Sequence, residues 1–136
     1  MTCPFCEFSE NRIIEEGKFW RVILSNPRLV PGHTLIIPKR HLVRMSELTS
    51  EEWSELQPLF AKYEELILSR LATGCDIKQH YRPFIPDGSI KQSHLHIHLI
   101  PRSFEDALYN ESQVYEKTLF QPLSKQEEEK YLELFR

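Results

Sequence analysis

The stretch His94-Leu95-His96-Ile97-His98-Leu99-Ile100-Pro101-Arg102 opens with three histidines in strict alternation with three aliphatic residues. In an extended strand successive side chains point to opposite faces, so His94, His96 and His98 should share one face while Leu95, Ile97 and Leu99 enter a core. Next-but-one residues on a strand lie roughly 6.5 to 7 Å apart, close enough for neighbouring imidazoles to act on one small anionic group or ion. A lone strand histidine is most simply solvated or hydrogen-bonded. Three of the chain's six in one row point to chemistry.

The 136 residues, 40% hydrophobic and 27% charged, suffice for one well-buried core and not for two typical domains. A net charge of -3 argues against a protein that coats a polyanion, so polymeric nucleic acid is not an expected partner and an anionic ligand should be small. No run of about 18 apolar residues suggests a membrane span, and the N-terminus lacks a secretory pattern, so a cytoplasmic protein without membrane contact is expected. Three cysteines make no disulfide framework. Cys3-Pro4-Phe5-Cys6 is either a redox pair or half of a zinc site. Nothing precedes it that resembles the strand of a thioredoxin-like motif, and a zinc site would need two further ligands, for which histidines are plentiful.

Phe19 to Leu24 is aromatic and β-branched, ends at Ser25-Asn26-Pro27, and reads as a strand; Pro31-Gly32 then turns the chain into Thr34 to Ile37, a second strand stopped by Pro38. His33 and His41 flank that strand. Thr49 and Glu52 form a capping box ahead of Trp53, Leu56, Leu59, Phe60, Tyr63, Leu66, Ile67 and Leu71, which recur at helical spacing. Pro58 should bend this main helix and Gly74 should end it. Cys75 to Phe84 reads as an irregular strand that turns at Pro86-Asp87-Gly88 into the histidine strand, forming a hairpin. Ser124 and Glu127 start a short terminal helix carrying Tyr131, Leu134 and Phe135. The pattern predicts an α+β fold with an antiparallel sheet, as a single domain over 1–136 with a core of 1–104 and a C-terminal extension of 105–136.

His94 to Ile100 resembles the His-φ-His-φ-His-φ-φ signature of the histidine triad (HIT) superfamily of nucleotide hydrolases and transferases, and Pro31 to His41 resembles that family's upstream stretch. The resemblance implies a sheet of about five strands with one main helix and a homodimer. It implies that His96 attacks the α-phosphorus of a nucleotide to form a covalent nucleotidyl-histidine, that His98 binds phosphate oxygens and assists the leaving group, and that His33 orients groups in the same pocket. It further implies a structural zinc held by Cys3, Cys6, His41 and His94, as in the members that carry a CxxC pair. The substrates it implies are dinucleoside polyphosphates, nucleoside phosphoramidates or related adenylylated compounds.

Several positions depart from the family pattern. The polar pair usual four and three residues before the triad is Ile90 and Lys91 here, with Gln92 and Ser93 closer in. Lys91 would replace a neutral phosphate donor by a point charge. Ser25 and Asn26 stand where an acidic residue often grips the ribose, and Arg102 adds a further substrate-binding candidate. The asparagine usual before the triad hairpin has no match near Arg82, which reads as a phosphate donor or a surface charge. Phe5, Phe8 and Leu24 are candidate walls for the base. Two readings from other classes remain open at this point: a hydrolase whose HxHxH row itself binds a catalytic metal, and a nucleotide-binding regulator with little turnover.

Overall fold

Five antiparallel strands form one sheet in the order β1-β2-β3-β5-β4. They are β1 (Ile13–Glu16), β2 (Trp20–Leu24), β3 (Thr34–Pro38), β4 (Gly74–Gln79) and β5 (Ile97–Arg102). The structure is a computed structural model and describes residues 3–6, 10–88 and 91–136. Phe8 and Ile90, named above, lie outside them. Two compact units make up the chain, Met1–Phe104 and Glu105–Arg136. The second contains α2 (Ala107–Glu111), a 3-10 turn at Gln113–Thr118 and α3 (Lys125–Phe135), whose first turn is capped where Ser124 Oγ accepts from the Glu127 amide at 3.1 Å.

The main helix, α1 (Ser50–Arg70), links β3 to β4 and covers one face of the sheet. Its capping box is complete: Thr49 Oγ1 accepts from the Glu52 amide and the Glu52 carboxylate accepts from the Thr49 amide. Leu56, Leu59, Tyr63 and Ile67, at spacings of three and four, bury against Trp20, Val22, Ile36, Ile97 and Leu99, which alternate along their strands toward the helix. Pro58 sits on the exposed side, inside a helix that continues past it. Glu55 reaches off α1 to accept the amides of Lys18, Phe19 and Trp20, tying the helix to the β1–β2 turn. A Cβ on Gly17 would stand 2.7 Å from that carboxylate, so a side chain there would push Glu55 out of this position.

Three details differ from the sequence expectation. The helix stops at Arg70, where the amides of Leu71 and Ala72 both bond to the Ile67 carbonyl, so no glycine cap is needed and Gly74 starts β4 instead. β4 and β5 are joined by residues 80–96 rather than by a tight hairpin. The ladder of β5 begins at Ile97 and not at His94: the Leu95 amide bonds to the Leu42 carbonyl at 2.7 Å, which holds the chain off both neighbouring strands until Ile97 meets Ile36 and Gln79. The opposite face of the sheet carries a smaller cluster of Phe5, Ile23, Leu35 and Ile37. His98 lies on this face, between Leu35 and Lys78 in register.

Candidate functional site: two histidine clusters on the open face of the sheet

At the entrance to β5, His94 meets His41 and the two N-terminal cysteines. Its Nδ1 lies 3.4 Å from Cys3 Sγ, 3.5 Å from Cys6 Sγ and 3.2 Å from His41 Nδ1, and Cys6 Sγ lies 3.4 Å from His41 Nδ1. The four atoms fall within 4.8 Å of one another, so the group could hold a metal ion. A tetrahedral site with metal–sulfur distances near 2.3 Å and metal–nitrogen distances near 2.0–2.1 Å has edges of about 3.3–3.8 Å, which these separations match closely. The other ring nitrogen of His94, Nε2, stands 2.9 Å from the Pro38 carbonyl. That carbonyl can only accept, so the Nε2 proton points at it and Nδ1 presents a lone pair to the cluster. Burial, with only 1% of His94 exposed, pushes its pKa down to about 4 and keeps the ring in the neutral form a metal requires. Among the described residues no other His, Cys, Asp or Glu group brings its atoms this close.

Two residues on, the geometry changes. His96 Nδ1 lies 2.8 Å from the His94 carbonyl, so this nitrogen carries the proton and Nε2 keeps its lone pair. Burial lowers the His96 pKa and favours the neutral ring, against the opposing effect of the carbonyl. Its ring lies 5.2 Å from Phe5 and 4.9 Å from His98.

His33 and His98 form the second part of this cluster. The Leu29 amide donates to His33 Nδ1 at 3.1 Å, which leaves the proton on Nε2; that nitrogen sits 2.9 Å from His98 Nδ1. His98 Nδ1 therefore accepts, and its own proton lies on Nε2. One backbone amide thus sets the tautomers of two imidazoles in series. Gly32, at φ +85°, makes the turn that delivers His33, and the His33 amide closes it on the Val30 carbonyl at 3.2 Å. Burial, reinforced by the neighbouring cations, drops the pKa of His33 to about 4 and that of His98 to about 3. Both are neutral at pH 7.

His80 is the functional-site neighbour that the sequence reading missed. Its ring lies 5.4 Å from that of His98, and burial followed by the charges of Arg82 and Lys78 lowers its pKa. It lies two residues past Lys78, the partner of His98 across the ladder, and so shares that residue's parity. That parity was available in the sequence once β4 was aligned with β5.

The remaining sequence candidates are less concentrated. Lys91 Nζ donates to Asp87 Oδ1 at 2.9 Å and Ser93 Oγ donates to the same oxygen at 2.6 Å, while the Gln92 amide bonds to the Gly88 carbonyl. These three residues fasten the turn that leads into His94. Ser25 Oγ donates to the Pro27 carbonyl at 2.7 Å, its amide bonds to the His33 carbonyl at 2.9 Å, and Asn26 is exposed beside it. Arg102 ends β5, paired with Asp76 at 2.6 Å, about 13 Å along the strand from His98. Phe5 is buried against the rings of His94 and His96, and Leu24 shares the parity of Trp20 and Val22, toward α1 rather than the histidines.

This fold and its histidine run define a known class: residues 7–105 match the HIT domain model, and the chain belongs to the HIT domain family. Among similar proteins, the adenosine 5'-monophosphoramidase hnt1 of Schizosaccharomyces pombe is 27% identical over 113 residues, covering 78% of each chain. The bis(5'-adenosyl)-triphosphatase of Dictyostelium discoideum is 33% identical over 96 residues, 61% of this chain and 58% of that protein. A zinc-bound histidine triad family protein from Mycobacterium smegmatis superposes with a TM-score of 0.62 at 26% identity, covering 79% of this chain and 80% of that one. The proteins it resembles in sequence thus include nucleotide hydrolases.

Proposed function

We propose that the protein is a nucleotide hydrolase or nucleotidyl transferase that works at the α-phosphorus of a dinucleoside polyphosphate or a nucleoside phosphoramidate. The observation that carries this reading is the bond between His96 Nδ1 and the His94 carbonyl, which leaves Nε2 as an unprotonated nucleophile. Nε2 of His96 attacks phosphorus and forms an N–P bond as the bond to the leaving oxygen or nitrogen breaks. The leaving atom takes that electron pair. Nε2–H of His98, fixed through His33, donates a hydrogen bond to it. The intermediate is a nucleotidyl-imidazolium, and the His94 carbonyl supports its charge at Nδ1. Water then attacks phosphorus, the N–P bond breaks, a proton passes to solvent and a nucleoside monophosphate departs; a polyphosphate leaves as its anion, and an amine takes a proton from water.

Cys3, Cys6, His41 and His94 fit zinc as a closed four-ligand site of the structural kind. Bound zinc would clip the N-terminal segment to the start of the histidine run, and the ligands leave no position for substrate. The net charge of -3 supports a small nucleotide over a polymeric nucleic acid as the substrate. The reading extends to a homodimer acting in the cytoplasm, for which light scattering and cell fractionation are the direct checks. The activity is tested by following nucleoside monophosphate release from diadenosine tetraphosphate and from an adenosine phosphoramidate. Release from at least one, abolished by His96→Gly, is expected; a His96→Gly protein that turns over like the parent would overturn the assignment.

A further inference from the structure

The open face is lined by imidazoles, and a polyphosphate brings several negative charges. β4 supplies a cation beside them. Lys78 pairs with His98 across the β4–β5 ladder, so its side chain leaves the sheet on the same face, flanking His98 on the side away from Leu35. The charge of Lys78 acts on His33, His80 and His98 alike, which sets it within electrostatic reach of all three. Lys78 is half-buried, and among the described residues no carboxylate lies within 4.0 Å of its ammonium. Of the nearby cations, Lys91 is paired with Asp87, Arg102 is paired with Asp76, the acid two residues before Lys78 on the same strand, and Arg82, whose charge also reaches His80, is exposed rather than half-buried. A half-buried lysine with no counter-ion among the described residues, set across the ladder from His98, is suited to an anion that comes and goes.

We infer that Lys78 is a specificity-determining residue that binds the phosphates of the leaving group and so favours substrates departing as a polyphosphate over those departing as an uncharged amine. The inference rests on the proposed reaction, in which His98 serves the leaving group; Lys78 stands opposite His98 and therefore on that side of the α-phosphorus. A hydrogen bond from an ammonium to phosphate strengthens as negative charge collects on the departing oxygens. A nitrogen that takes up a proton from water as it departs collects no such charge.

The test compares kcat/KM for diadenosine tetraphosphate with kcat/KM for an adenosine phosphoramidate in the full chain, its Lys78→Met and Lys78→Gln variants and a Lys78→Arg variant. The tetraphosphate-to-phosphoramidate ratio is expected to fall roughly tenfold to a hundredfold in Lys78→Met and Lys78→Gln and to recover largely in Lys78→Arg. The lost ratio should shrink as ionic strength rises, because salt screens the charge in the parent. A ratio unchanged in both neutral variants overturns the inference, as does a parent that cleaves the phosphoramidate alone. A parent inert toward both compounds instead overturns the underlying reaction, so the two failures are distinguishable.

Discussion

His94 and His96 are two residues apart, of one type and on one segment, yet their ring nitrogens are committed in opposite ways. His94 gives Nε2 to the Pro38 carbonyl and aims Nδ1 at two sulfurs and a second imidazole. His96 gives Nδ1 to the carbonyl of His94 itself and leaves Nε2 free of any protein partner named above. Which nitrogen a backbone carbonyl takes decides which nitrogen keeps its lone pair and where that lone pair points. The pair shows that an HxHxH pattern does not by itself specify a metal site. Here the first histidine is drawn into a cluster with two cysteines and His41, and the third is matched with His33.

If that division is right, the two positions should respond independently to mutation. The largest effect is expected from His96→Gly, with turnover reduced at least about a thousandfold because the atom that forms the N–P bond is removed. Its metal content, read by elemental analysis, should match the parent; a parallel loss of metal would break the division. Cys3→Ser should do the reverse. Metal stoichiometry should fall and the midpoint of thermal unfolding should drop by about 5–10 °C, the shift that roughly 2 kcal/mol produces in a domain of this size.

A smaller effect should follow from His33→Ala, which leaves His98 Nδ1 without the donor that fixes its tautomer. Turnover is expected to drop about ten- to a hundredfold, with metal content and fold intact by circular dichroism. The smallest effect is on stability against pH. His33 and His98 have folded pKa values of about 4 and about 3, below the ordinary 6.5 that an unfolded histidine shows. Between those limits the unfolded chain binds more protons, so stability is present above pH 6.5 and is lost as pH falls toward 4. Thermal unfolding scans from pH 7 to 4.5 should show this decline, and His98→Asn should flatten it.

Much of this was legible in the sequence because periodicity and spacing survive folding. The aromatic and β-branched run from Phe19 to Leu24, the short apolar run from Thr34 to Ile37, the capping box at Thr49 and the apolar spacing of α1 correspond to elements that the structure contains. β1 was not legible: a bulge between Ile13 and Glu15 breaks the period of two, so that the adjacent Ile13 and Ile14 do not read as a strand. Glu15, on that strand, instead accepts from Lys62 Nζ and Tyr63 Oη on α1, both at 2.6 Å.

Within the candidate site, the family resemblance implied the four metal-binding candidates that the structure brings together, and the alternation of the histidine run pointed to His96 and His98. The roles of individual nitrogens were not legible, because they depend on carbonyls such as those of Pro38 and His94 and on the Leu29 amide, which look alike in every sequence. His80 and Lys78 escaped notice for a related reason. Only the packing of β4 against β5 puts them beside His98, and register is a long-range property that neither strand encodes alone.

The central claim is a covalent nucleotidyl group on His96. Intact-protein mass spectrometry tests it most directly, after brief mixing with diadenosine tetraphosphate or an adenosine phosphoramidate and a quench that avoids acid, which would cleave an N–P bond. The account predicts a protein carrying one added adenylyl group, mapped to His96 and missing from His96→Gly. Steady release of adenosine monophosphate with no adduct at any mixing time, or an adduct that persists in His96→Gly, would contradict it.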